Sequence, residues 1–92
     1  SMIVRAAVKI DYWNHNTKQE VIIPCHRHCD AFKILHDFGF IKGVDFREIA
    51  QGFLDENGVF LTRIEAFKEA QRCGQISTED TLCKELYSED LW

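Results

Sequence analysis

The sequence predicts an α+β domain: a small antiparallel sheet of two hairpins packed with two helices, in an oligomeric protein. Three observations carry this. Residues 2–12 alternate with a period of two, residues 26–38 change to a helical period, and residues 51–76 hold a turn followed by a capped helix. The order is strand, strand, helix, an ambiguous stretch, strand, strand, helix and tail, which suits an antiparallel sheet with its helices segregated. The 92 residues read as a single domain, 1–92. At that size one core leaves a margin of only a few kcal/mol, so association into a dimer or tetramer is a natural source of further burial.

Along the first strand Met2, Val4, Ala6, Val8, Ile10 and Tyr12 share one face, and Arg5, Lys9 and Asp11 share the other. Residues 13–17 read as a turn, and residues 18–23 return as a second strand until Pro24, which cannot donate to a ladder. In the first helix Ala31, Phe32, Leu35 and Phe38 form an apolar stripe, opposite Arg27, Asp30, Lys33 and Asp37. Gly39 closes it. Residues 40–50 fit two patterns: Phe46, Ile49 and Phe53 suit a helix, whereas Phe46, Glu48 and Ala50 suit a strand edge.

Gly52-Phe53-Leu54 and Val59-Phe60-Leu61 flank Asp55-Glu56-Asn57-Gly58, where Asn-Gly supplies positive-φ positions for a second hairpin. Thr62 then precedes a run of helix formers with Glu65 three residues on, the pattern of a capping box, so the second helix starts at Arg63. Gly74, after Cys73, ends it in a left-handed conformation. Ser77-Thr78-Glu79-Asp80 offers a further cap for a short turn through Leu86. The apolar, aromatic end at Leu91-Trp92 is not that of a frayed tail.

Composition bounds the function. The chain is 46% hydrophobic with seven Phe, two Trp and two Tyr, ample for a packed core. A net charge of −4 gives no broad basic footprint, so neither DNA nor an anionic membrane surface is the expected partner. A small anion held by a few arginines is compatible with it. Ser1 before Met2 reads as a tag remnant, and no signal-peptide core or membrane-length apolar run follows. The expected location is the cytoplasm, with Cys25, Cys29, Cys73 and Cys83 as reduced thiols.

Cys25-His26-Arg27-His28-Cys29 first suggests zinc, but its spacing matches no common finger and His26 and His28 would point away from a face shared by the cysteines. No metal is therefore expected. Cys29 reads as core filling at the helix start, with His28 flanking the apolar stripe and Arg27 and His26 at the cap or in solvent. A thiol nucleophile at Cys25 or Cys29 lacks a recognisable base, orienting group or oxyanion hole. Glu85, Glu89 and Asp90 read as tail charge. Phosphate binding has a better case: Thr62 and Arg63 lie at the first turn of a helix, where free amides and the dipole favour an anion. The plainer alternative is that Thr62 and Glu65 satisfy the helix start and Arg63 pairs with a carboxylate. Phe53, Phe60, Tyr87 and Trp92 add flat side chains suited to a nucleobase beside a phosphate, although most such rings serve the core.

Arg27-His28-Cys29-Asp30, the run from Gly52-Phe53-Leu54 through Gly58-Val59-Phe60-Leu61-Thr62-Arg63-Ile64-Glu65-Ala66, Gly74-Gln75-Ile76 and the terminal Ser88-Glu89-Asp90-Leu91-Trp92 together resemble a group of small phage-encoded proteins. That group is similar to the sponge proteins that bind nucleotide immune signals and so blunt CBASS or Thoeris defence. The resemblance spans about two thirds of the chain, leaving out the first hairpin and residues 40–50. It implies a protein of the host cell cytoplasm that is not an enzyme and needs no cofactor. Such a protein sequesters a cyclic dinucleotide such as 3′3′-cGAMP, or a cyclic ADP-ribose isomer, at a site between protomers. On this resemblance Arg27, His28 and Arg63 meet phosphate, Phe53 and Phe60 hold or back a base, and Gln75 reads its edge; Thr62 joins Arg63 from its place at the helix start. Cys25, His26 and Cys29 depart from the group's pattern, which leaves the anion contacts of that segment open. The alternative is a small phage inhibitor that binds a host protein by protein–protein contacts.

Overall fold

A computed structural model describes residues 1–78 and 85–92. Strand β1 (Ile3–Asn14) pairs antiparallel with β2 (Thr17–Cys25) on one side and β3 (Phe46–Asp55) on the other, and β3 pairs antiparallel with the short β4 (Phe60–Thr62). The sheet order is β2-β1-β3-β4. Helix α1 (His28–Asp37) and helix α2 (Arg63–Arg72) contribute to one apolar core on the same face of the sheet, and a 3-10 turn (Ser88–Asp90) lies near the end of the chain. This is the expected α+β fold of two hairpins and two helices.

Core-facing residues of β1 are Ala6, Val8 and Ile10, met by Val21, Ile23 and Cys25 of β2 and by Phe46 and Phe53 of β3. The expected alternation holds from Ala6 onward and fails before it. A register shift between Ile3 and Arg5 makes Val4 an extra residue, so Ile3 turns inward while Met2 and Val4 stay exposed. The first turn is also shorter than residues 13–17. His15 and Asn16 alone form it, at φ 50° and 69°, the two positive values a tight hairpin needs to match the strand twist. Pro24 continues β2, opposite Ala7, because β2 is an edge strand with one side free of ladder partners.

Residues 40–50 resolve into a loop and the start of β3. A second register shift, between Lys9 and Ile10, leaves Ile49 as an extra residue in β3. Inward positions therefore run Phe46, Glu48, Gln51 and Phe53, with a three-residue step that imitates a helix. In the β3–β4 hairpin only Gly58 takes positive φ (80°), not Asn57. The Asp55 carbonyl accepts from Gly58 N–H at 3.0 Å, and its buried carboxylate accepts from the Asn57 and Val59 amides, both at 2.9 Å.

Helix α1 starts later than expected, with Arg27 as its N-cap, and ends before Phe38, which is 77% exposed rather than part of the stripe. Cys29 is exposed, whereas Cys25, paired with Ala6 on the core side of β2, is buried. Helix α2 follows the expected plan: Glu65 N–H donates to Thr62 Oγ1 at 3.2 Å and Thr62 N–H to Glu65 Oε1 at 3.0 Å. Gly74, at φ 77°, turns the chain after Cys73. The tail is anchored: Leu86 is fully buried, and Trp92 Nε1 donates to the His26 carbonyl at 2.7 Å. The proposed cap at Ser77-Thr78-Glu79-Asp80, the turn that follows it and Cys83 lie wholly or partly outside the described residues. No described helix is long and apolar enough to cross a membrane.

Candidate functional site

The first residues of the two helices meet over β3. His28 opens α1 and Arg63 opens α2. The β3 bulge turns Gln51 toward the same side, while Gly52 offers its carbonyl in the same place. His28 Nε2 lies 2.8 Å from the Gly52 carbonyl oxygen. Burial pushes the imidazole pKa below its ordinary value, and the Arg63 charge pushes it the same way against the opposing effect of the Gly52 bond. A neutral ring whose Nε2–H donates to Gly52 leaves Nδ1 as an acceptor, and Nδ1 faces Arg63 Nη2 at 3.5 Å.

Arg63 is the hub. Its Nη2 donates to Gln51 Oε1 at 2.6 Å and its Nη1 to the Leu86 carbonyl at 2.9 Å, while its guanidinium carbon stands 4.8 Å from the centre of the Tyr87 ring. Its partners are an amide, a carbonyl, a neutral imidazole and a phenol ring. Among the described residues no carboxylate pairs with it. Gln51 completes the row by donating from Nε2 to Glu48 Oε1 at 3.2 Å. A cleft of about 420 Å³ opens beside this row, lined by Glu48, Gln51, Thr62, Arg63, Ile64 and Glu85.

Of the sequence-derived site residues, the structure gathers Arg27, His28, Phe53, Thr62 and Arg63 around the two helix starts. Arg27 faces the tail, its Nη1 3.4 Å from Ser88 Oγ and 3.9 Å from Glu89 Oε1. Phe53 is fully buried and meets His28 edge-on at 5.3 Å, so it backs the site without being open to a ligand. Phe60 and Gln75 do not join the group. Phe60 pairs with Leu54 on the sheet face without helices, under Lys9 Nζ at 4.6 Å. Gln75 lies past the opposite end of α2, and its side-chain amide is committed to the Ile3 N–H and carbonyl, both at 2.8 Å. Gln51 and Glu48 were missed. Only their three-residue spacing across the Ile49 bulge could have flagged them.

Burial pushes the Cys25 thiol up to about 11, away from the thiolate form that nucleophilic or metal chemistry requires. Among the described residues no group of three or more His, Cys, Asp or Glu side chains is arranged to hold a metal ion.

Fold and site together define a small single-sheet α+β protein with an arginine-centred polar cleft where two helices begin. The family described as phage T4 y16D protein matches residues 2–92, and the chain belongs to that family. It is a small phage protein. No curated protein and no solved structure matches it.

Proposed function

We propose that this phage protein binds a phosphate-bearing nucleotide signal at the Arg63 cleft and sequesters it without cleaving it, the ligand being a cyclic dinucleotide such as 3′3′-cGAMP or a cyclic ADP-ribose isomer. The observation that carries this reading is the Arg63 guanidinium: half-buried, at the first turn of α2, and hydrogen-bonded among the described residues to neutral groups. A guanidinium with no carboxylate paired to it among the described residues keeps its charge for an incoming anion, which would enter beside the Glu48 and Glu85 carboxylates that also line the cleft. Thr62 caps the same helix start, and Tyr87 already stacks on the guanidinium. The high pKa of Cys25 speaks against thiol catalysis at that residue. Calorimetric titration with 3′3′-cGAMP and cyclic ADP-ribose isomers tests the reading. Saturable binding that weakens at least tenfold in Arg63→Gln, with Arg63→Lys retaining part of it, supports the cleft; equal affinity in all three proteins sinks it.

A second reading is favoured by a different observation. Phe38, Ile41 and Val44 are 77%, 60% and 67% exposed, an apolar display suited to gripping a host protein. Co-purification of a host effector that is lost in Phe38→Ser, with no response to nucleotides, would replace the first reading with this one.

A further inference from the structure

We infer that the base of the proposed ligand is held in an aromatic cavity adjoining the Arg63 cleft, and not at Phe53 or Phe60; this rests on the nucleotide reading above. Phe53 is fully buried, and Phe60 is on the sheet face away from the helices. Neither can offer a ring to a ligand at Arg63. The loop between α1 and β3 builds an alternative. Phe40 N–H donates to the Leu35 carbonyl at 2.9 Å, Asp45 N–H to the Ile41 carbonyl at 2.8 Å, and the Asp45 carboxylate accepts from Ile41 N–H at 2.6 Å. Those bonds hold the loop as a wall against the end of α1.

Between wall and helix lies a cavity of about 680 Å³, lined by Phe32, His36, Phe40, Ile41, Lys42 and Phe46. That volume is within the range of small-ligand sites, as is a lining of apolar rings with a few polar groups. Of its rings Phe46 is buried, and Phe32 and Phe40 are half-buried. The Phe32 and Phe46 rings are 27° from parallel with centroids 6.5 Å apart, so they pack on each other with no room for a ring between them, and a flat heterocycle in the cavity lies against this pair from one side. Lys42 supplies a cation at the rim, 5.1 Å above the Phe32 ring.

Cavity and cleft are joined by a row of polar contacts along β3. Lys42 Nζ is 4.0 Å from Glu48 Oε1; Glu48 Oε1 accepts from Gln51 Nε2 at 3.2 Å; and Gln51 Oε1 accepts from Arg63 at 2.6 Å. Glu48 therefore stands between the aromatic hollow and the cleft that holds Arg63. A ligand carrying a flat base at one end and a phosphate at the other matches that order, with the Glu48 carboxylate free to accept from a base N–H or a ribose hydroxyl in place of Lys42. The chemical class is a purine nucleotide.

Two-dimensional amide spectra of the full chain, recorded with adenosine, ribose 5-phosphate and AMP, separate the two hollows. AMP is expected to move the amides of Gly39 and Gly43, beside the cavity, together with those of Thr62 and Arg63. Adenosine should move the first pair alone and ribose 5-phosphate the second alone. Phe32→Leu, which keeps an apolar side chain and removes the ring, is expected to weaken AMP about tenfold and leave ribose 5-phosphate unchanged. AMP shifts at Thr62 and Arg63 with Gly39 and Gly43 unmoved would overturn the base cavity while the nucleotide reading stands. No movement at Thr62 and Arg63 with these probes, nor with 3′3′-cGAMP or a cyclic ADP-ribose isomer, would sink the nucleotide reading, and this inference with it.

Discussion

His28 Nε2 donates to the carbonyl oxygen of Gly52 across 2.8 Å, tying the first residue of α1 to the middle of β3. With Nε2–H as the donor, Nδ1 is left as an acceptor facing Arg63 Nη2 at 3.5 Å, beside the shorter bonds that hold the guanidinium to Gln51 and the Leu86 carbonyl. The His28 pKa is lowered in the folded state, chiefly by burial. The unfolded chain therefore takes up protons first as pH falls below the ordinary histidine value of about 6.5. The His28 contribution to stability should be level above that pH and decline below it, until the folded ring is protonated in turn. Melting temperatures measured from pH 8 down to pH 5 should show the decline, and His28→Gln should flatten it in that window. An unchanged slope in the variant would mean that another group titrates.

Gly52 permits the close approach that the same region needs. A Cβ built there would stand 2.2 Å from the Leu61 carbonyl oxygen and 2.6 Å from Cζ of Phe60. The backbone atom cannot swing away, so Gly52→Ala should cost about 2 kcal/mol or more through strain at the β3–β4 pairing. Denaturant unfolding of the variant checks this. A loss below about 0.5 kcal/mol would show that β4 shifts freely.

Thr62 has a simpler role as the cap of α2. Thr62→Ala removes the acceptor of the Glu65 amide and should cost about 1 kcal/mol, while Thr62→Ser should be close to neutral. Thermal unfolding of the two variants distinguishes a cap from mere occupancy.

Asp55 is a buried carboxylate whose partners are backbone amides of its own turn. Replacing it with Ala leaves the Asn57 and Val59 amides without that acceptor and should cost about 1–3 kcal/mol. Asp55→Asn keeps one acceptor oxygen and should recover part of the loss. Equal stability of Asp55→Ala and the native protein would mean that water replaces the carboxylate at no cost.

How much of this was legible in the chain can be followed residue by residue. Thr62, Glu65 and Gly74 announce α2 because caps are local chemistry, and Ala6, Val8 and Ile10 announce β1 because alternation needs no knowledge of the partner. The bulges at Val4 and Ile49 were not legible, since each is fixed by register against a neighbouring strand. The Ile49 bulge had the larger effect. It disguised β3 as half a helix and hid Glu48 and Gln51, which face the helices. Arg63 and Thr62 could be singled out from their place at a helix start, but Phe53 and Phe60 look equivalent in sequence and lie on opposite faces of the sheet. Gln75 follows the helix-ending glycine, a position that gives no hint of its bonds to Ile3.

The central claim is that the Arg63 cleft retains an intact nucleotide. Native mass spectra of the protein with a panel of cyclic dinucleotides, cyclic trinucleotides and cyclic ADP-ribose isomers test it most directly, because mass reports ligand, cleavage and oligomer at once. The account predicts one panel member bound at its uncleaved mass to a defined oligomer, and lost from Arg63→Gln. An unliganded spectrum across the whole panel, or a bound ligand at its hydrolysed mass, would contradict it.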